Sequence, residues 1–122
     1  MFQINKFRKH LSEPWFSHMA IGNKTIEGRL NKGEWNEIKE GDEIYLVNED
    51  FELKRELVVS IISKKIYPSF ESYLKIEGLS NTLPLIDKIE DGIEIYYKFY
   101  KPEEEIKYGV VAFELKVLKI IN

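Results

Sequence analysis

Phe2, Ile4 and Phe7 alternate with polar residues at the start of the chain, the period-two pattern of a strand with one buried face. Ser12-Glu13-Pro14 then resembles a helix start, with Ser12 or Glu13 near the N-cap and Pro14 in the first turn. Trp15, Phe16, Met19 and Ala20 follow at helical spacing, and Gly22 is the expected stop. A strand is expected over residues 24–30, after which Asn31-Lys32-Gly33 turns the chain. Trp35 and Ile38 suit a short helical turn or loop packed on the core. Gly41-Asp42 marks the turn into a short strand carrying Ile44 and Leu46, and Asn48-Glu49-Asp50 makes the hairpin. The return strand runs from about Glu52 to Ile66. Its run Leu57-Val58-Val59-Ser60-Ile61-Ile62 is nearly continuous in apolar character, which predicts burial on both sides.

Pro68-Ser69 opens the next helix, with Phe70, Tyr73 and Leu74 as its inner face and Gly78 as its end. Leu83-Pro84-Leu85 reads as a linker. Ile89, Ile93, Tyr96, Tyr97 and Tyr100 then form one apolar stripe at helical spacing, and the three tyrosines are assigned to the core. Gly92 within it costs up to about 1 kcal/mol relative to alanine. Pro102 with Glu103, Glu104 and Glu105 opens a brief helix, since carboxylates favour the positive end of the helix dipole, and Tyr108-Gly109 closes it. The last strand places Val111, Phe113, Leu115 and Val117 on one face and Ala112, Glu114 and Lys116 on the other. Strands at the start, middle and end with helices between them lack a regular βαβ rhythm. They predict one α+β domain spanning residues 1–122, a mixed β-barrel with helices packed around it, in which the terminal strand pairs with central ones.

Composition narrows the setting. A chain of 122 residues, 43% hydrophobic and with 7 Phe, 7 Tyr and 2 Trp, can bury a single core without staples. It has no cysteine, which excludes disulfides and thiolate metal sites and points to the reducing cytoplasm. Residues 1–9 lack the continuous apolar run of a signal peptide, and no window approaches the ~20 apolar residues of a membrane span. The formal net charge of −3 argues against general polyanion binding. A nucleic-acid role therefore needs a local basic patch, for which Lys6, Arg8, Lys9 and Lys64-Lys65 are candidates, or a pocket for a base. His10 and His18 have no acidic or cysteine partners at ligand spacing, so no metal site or cofactor is expected.

Lys24-Thr25-Ile26-Glu27-Gly28-Arg29 carries the densest chemistry. Read as a strand, Thr25, Glu27 and Arg29 share one face. Lys24 stands at the strand entry, where a turn or bulge can swing its amine to the same side. An amine, a carboxylate and a guanidinium so placed offer donors and an acceptor for a polar heterocycle. The same charges also suit a salt-bridged surface strand. Tyr67, Tyr108 and Trp35 lie at turns or element ends, where an aromatic can either stack on a base or pack in the core.

Gly22-Asn23-Lys24-Thr25-Ile26-Glu27-Gly28-Arg29-Leu30 resembles the glycine–any–lysine–any–any–glutamate–any–arginine signature of ASCH domains. Family-like pieces follow in order. They are Gly41-Asp42-Glu43-Ile44, Tyr67-Pro68-Ser69-Phe70, Ile95-Tyr96-Tyr97-Lys98-Phe99-Tyr100 and Tyr108-Gly109-Val110-Val111-Ala112-Phe113. The resemblance implies a PUA-like barrel and binding of RNA or a nucleoside in a cleft lined by Lys24, Glu27 and Arg29, with Tyr67 and Tyr108 as candidate stacking contacts. It also implies an enzymatic option, because some small ASCH-type proteins are amidohydrolases that deacylate N4-acetylcytidine. Their proposed catalytic set is a lysine, a threonine and a glutamate. Lys24 matches the lysine, Glu27 stands at the threonine position, Thr25 follows the lysine directly, and Glu77 is the match for the glutamate. Three readings follow: a binder of RNA or a nucleoside, a hydrolase of N4-acylated cytidine using Lys24, Glu27 or Thr25, and Glu77, and a protein-interaction module.

Overall fold

The computed structural model describes residues 3–122. In chain order the elements are β1 (Lys6–His10), α1 (Trp15–Ala20), β2 (Ile26–Leu30), α2 (Glu34–Glu37) and β3 (Glu43–Asn48). A 3-10 turn over Asp50–Glu52 leads to β4 (Arg55–Tyr67), α3 (Phe70–Glu77), α4 (Leu79–Thr82), α5 (Ile89–Tyr97), α6 (Pro102–Tyr108) and β5 (Val110–Ile121). The five strands form one mixed sheet in the order β1-β3-β4-β5-β2, curled into a half-barrel. β1 runs parallel to β3, and the other three pairings are antiparallel. The terminal strand pairs with the central β4 on one side and with β2 on the other, leaving β1 and β2 as free edges.

The alternation of β5 divides the core between the two faces of the sheet. Val111, Phe113 and Leu115 join Phe16 and Met19 of α1 with Ile44, Leu46, Leu57, Val59 and Ile61. Val110 and Ala112 point the other way, into a second cluster with Phe70, Tyr73 and Leu74 of α3 and Tyr96 of α5. Local chemistry sets the helix starts. The Ser69 side chain accepts from the Ser72 N–H, and the carboxylate of Glu13 accepts from Ser17 N at 2.8 Å.

Several expectations shift. The first strand is Lys6–His10, not a run through Ile4, which is exposed; Phe2 lies outside the described residues. The return strand begins at Arg55 because the chain first makes the 3-10 turn. Leu57, Val58 and Val59 are buried, but Ile62 is half exposed, since a bulge between Ile61 and Ser63 turns it out of the ladder. The stretch between Gly78 and the expected linker is the four-residue helix α4, too short to leave a period. Tyr97 is exposed, one position round the helix from buried Tyr96, and Tyr100 falls beyond the end of α5.

Candidate functional site

The site is built at the entry of β2. Gly22 takes a positive φ of 87°, and the N–H groups of Asn23 and Lys24 both donate to His18 O at 2.9 and 3.1 Å. This turn holds Lys24 ahead of the strand, so its side chain escapes the alternation and reaches the side of Glu27. The Lys24 ammonium donates to Ile26 O at 2.6 Å and Thr82 O at 2.5 Å, and sits 3.0 Å from Glu27 Oε1. Three acceptors engage all three N–H bonds of an ammonium, and the side chain is 1% exposed. The carbonyl of Thr82 is supplied by α4.

Glu27 is shared. Its second oxygen accepts from Arg29 Nε at 2.6 Å, and an Arg29 terminal nitrogen donates to His10 O at 2.7 Å. The guanidinium lies 4.5 Å from the Trp35 ring centroid, and Trp35 in turn meets Phe113. Burial alone raises the Glu27 pKa, but Lys24 and Arg29 together outweigh it and hold the carboxyl below its usual range. Burial pulls Lys24 down and Glu27 opposes that; the three acceptors around its nitrogen call for the ammonium form. The trio is thus two cations about one anion.

Beside it lies a cavity of about 240 Å³. Its polar wall is Glu27, Gly28 and Arg29, with His10 and Ser12 at the end of β1. Its apolar wall is Trp15, Leu83, Ile95, Tyr96, Phe99 and Tyr100. The cavity therefore occupies the seam between the free edge of β2 and the end of β1. Burial raises the Tyr100 phenol, and the positive charge of the Arg29 guanidinium opposes that.

The structure gathers Lys24, Glu27 and Arg29 into one network. Glu27 and Arg29 line the cavity, and Lys24 braces them from behind. Thr25 does not join them. Its N–H donates to Asn81 O at 3.0 Å, and it lines a separate, more open hollow with Ile21, Ile62 and Lys116. Glu77, at the end of α3, accepts from the Tyr67 hydroxyl and lies 4.0 Å from Lys65. Burial and that carboxylate push the Tyr67 phenol up to about 12. Tyr108 ends α6 under the amines of Lys32 and Lys107, outside the cavity lining. The cavity residues that sequence reasoning left out are His10, Gly28, Trp15, Phe99 and the Tyr96–Tyr100 pair. The tyrosines stand four apart in sequence, a helical spacing that reads equally as core.

The family comparison bears on this same strand. The ASCH domain model matches residues 10–119, which includes the whole Gly22–Leu30 signature. The chain belongs to the ASCH domain family. The ASCH fold seen here is shared by two solved structures. The crystal structure of hypothetical protein PH0355 is 36% identical, with a TM-score of 0.83 over 93% of this chain and 99% of that one. The solution structure of protein PF0455 from Pyrococcus furiosus is 37% identical, with a TM-score of 0.76 over 93% of this chain and 98% of that one. No curated protein matches the chain. In this ASCH domain no helix among the described residues is long and apolar enough to cross a membrane, and these residues contain no cluster of three or more His, Cys, Asp or Glu placed to hold a metal ion.

Proposed function

We propose that this ASCH domain binds a nucleoside, free or as an unstacked base of RNA, in the seam cavity. The observation that carries the reading is a hollow of about 240 Å³ with an aromatic wall on one side and the Glu27–Arg29 pair on the other. The volume suits one base with its sugar and excludes a run of stacked bases. Trp15 and Tyr100, both partly buried in the cavity wall, offer aromatic surface for stacking, the sequence-tolerant part of base recognition. Arg29 commits Nε to Glu27 and one terminal N–H to His10 O, which leaves further donors for a base carbonyl or a phosphate. Lys24, with every N–H engaged, acts as a brace for Glu27 and touches no ligand.

The test is a nucleoside panel incubated with purified protein and read by mass for retained ligand, followed by titration calorimetry. Retention of at least one nucleoside, lost on Arg29→Ala, supports the reading; retention of none overturns it. An RNA source shows a steep loss of affinity with salt, whereas a neutral nucleoside does not.

A second reading keeps one supporting observation. Glu27 places a carboxylate in the cavity wall, where, although Lys24 and Arg29 lower its basicity, it can orient a water that attacks the N4-acyl carbon of cytidine. The same mass measurement reports that turnover as conversion of N4-acetylcytidine to cytidine. Glu27→Gln abolishes the conversion if the reading holds, and absence of conversion removes it.

A further inference from the structure

Gly28 is buried at the middle of β2, an edge strand whose backbone groups alternate between the ladder and the seam. Its ladder parity follows from the bonds at each end. Leu115 N donates to Thr25 O, and Asn31 N donates to Gly109 O. The Thr25 carbonyl and the backbone groups of Glu27, Arg29 and Asn31 therefore face β5, and Ile26, Gly28 and Leu30 turn theirs towards the free edge.

The carbonyl at each end of that free edge is already occupied. Ile26 O accepts from the Lys24 ammonium, and Leu30 O accepts from Lys32 N at 2.8 Å. Gly28 alone keeps both its N–H and its C=O without a partner among the described residues, and both face the cavity that Gly28 lines. A buried N–H and C=O left unpaired are unfavourable and rare, so the fold retains them for a partner that arrives later. Gly28 has no freedom to carry a side chain that would fill the gap from behind. A Cβ there would collide with the Tyr73 ring.

We infer that the Gly28 main chain is the specificity-reading element of this site, and that its ligand presents a planar ring edge with a hydrogen-bond donor beside an acceptor. The inference rests on the nucleoside reading and deepens it. In an extended residue the N–H and C=O on one side lie close together and parallel, which matches the adjacent donor and acceptor on the pairing edge of every nucleobase. The ligand C=O or ring nitrogen accepts from Gly28 N–H, and the ligand N–H donates to Gly28 C=O. Strand addition by an extended peptide needs successive free pairs along an edge. Here the bonds to Ile26 and Leu30 leave one residue's pair open, which is enough for a ring edge and too little for a strand. The aromatic wall then stacks the ring while Gly28 reads its rim.

The experiment uses the full chain, 15N-labelled, with the four ribonucleosides and neutral analogues blocked on that edge. These are N3-methyluridine, N1-methylguanosine, N4,N4-dimethylcytidine and N6,N6-dimethyladenosine, with 5-methyluridine and 5-methylcytidine as controls that add a methyl elsewhere. The expected result has three parts. The best parent nucleoside loses at least tenfold in affinity when its pairing edge is blocked, while a methyl on the other edge costs less than threefold. The Gly28 amide shifts and its hydrogen exchange slows at least tenfold on binding. The Arg29 amide, paired to β5, exchanges at the same slow rate throughout. Blocked analogues that bind as well as their parents, with the Gly28 amide unmoved, overturn this inference and leave the nucleoside reading standing. Absence of binding by any parent overturns both. Protection of Gly28 by an extended peptide in place of a nucleoside also overturns the inference.

Discussion

The Arg29 guanidinium donates a 2.7 Å hydrogen bond to the carbonyl oxygen of His10, joining two strand edges that no ladder connects. Through Nε the same side chain holds Glu27, and its face lies on Trp35. One residue therefore clasps the open side of the half-barrel and forms part of the cavity wall. Arg29→Lys keeps the charge but cannot serve both acceptors and the ring together. Nucleoside affinity is expected to fall at least about tenfold by calorimetry, with a stability loss of about 1–3 kcal/mol in urea unfolding. An unchanged affinity would remove Arg29 from the site.

Lys24 links the start of β2 to α4, which lies 58 residues on in sequence. Lys24→Met leaves Ile26 O, Thr82 O and Glu27 Oε1 without their donor in a buried setting. The expected loss is about 3–5 kcal/mol, the scale for breaking a buried ion pair from one side. Denaturant midpoints measure it. A loss below about 1 kcal/mol would mean that the ammonium is not the brace described.

Gly28 and Tyr73 share one space, so their substitutions are expected to couple. Gly28→Ala overpacks the contact and should destabilise by at least about 1–3 kcal/mol. Tyr73→Leu opens room behind the strand. The double variant should lose less than the sum of the singles, by about 1 kcal/mol or more in a double-mutant cycle. Strict additivity would contradict the close approach.

Acid stability follows from Glu27. Its folded pKa lies below the unfolded value of 4.5, so the unfolded state takes up protons first as pH falls. The carboxylate therefore contributes its full stability above about pH 4.5, and that contribution is lost as pH falls through the folded pKa. Glu27→Gln leaves two cations unpaired at neutral pH and should cost about 3–5 kcal/mol there. The gap between wild type and variant should narrow below pH 4.5 in urea unfolding measured across pH. A gap that does not change with pH would show that Glu27 is not ionised in the fold.

Tyr100 and Trp15 separate binding from folding. Both are only partly buried, and both line the cavity. Tyr100→Ala should lower nucleoside affinity by about 1–3 kcal/mol, the range for a lost base–aromatic stack. Tyr100→Phe keeps the ring and should retain most of that affinity. Equal losses in the two variants would assign the effect to the hydroxyl.

Most elements were legible in the sequence because their signals are local. Ser69 and Gly78 bracket α3, Pro102 and the three glutamates open α6, and the alternation of β5 assigns its two faces as found. The Gly22–Leu30 signature and the ordered pieces after it pointed to the ASCH family and a barrel-like sheet, which the structure shows as a half-barrel. Lys24, Glu27 and Arg29 lie within six residues of one another, so their grouping is visible in the sequence. The turn at Gly22 that lets Lys24 cross to the side of Glu27 was readable as a possibility, since a positive φ costs glycine little.

Sequence by itself thus determined the elements, the faces of the sheet and the identity of the charged trio, all of which depend on neighbours within a few positions. Only the tertiary structure decided what each charge does. The third acceptor of Lys24 is the carbonyl of Thr82, and the second partner of Arg29 is the carbonyl of His10. Backbone carbonyls are common to every residue, so composition cannot mark which of them a cation will meet. The parting of Thr25 and Glu77 from the cavity, and the placing of Tyr96, Tyr100 and Trp15 in its wall, follow from where α1 sits on β5 and α5 sits on α3. Periodicity records that a face is apolar; whether it meets a core or a hollow depends on the distance to the element opposite.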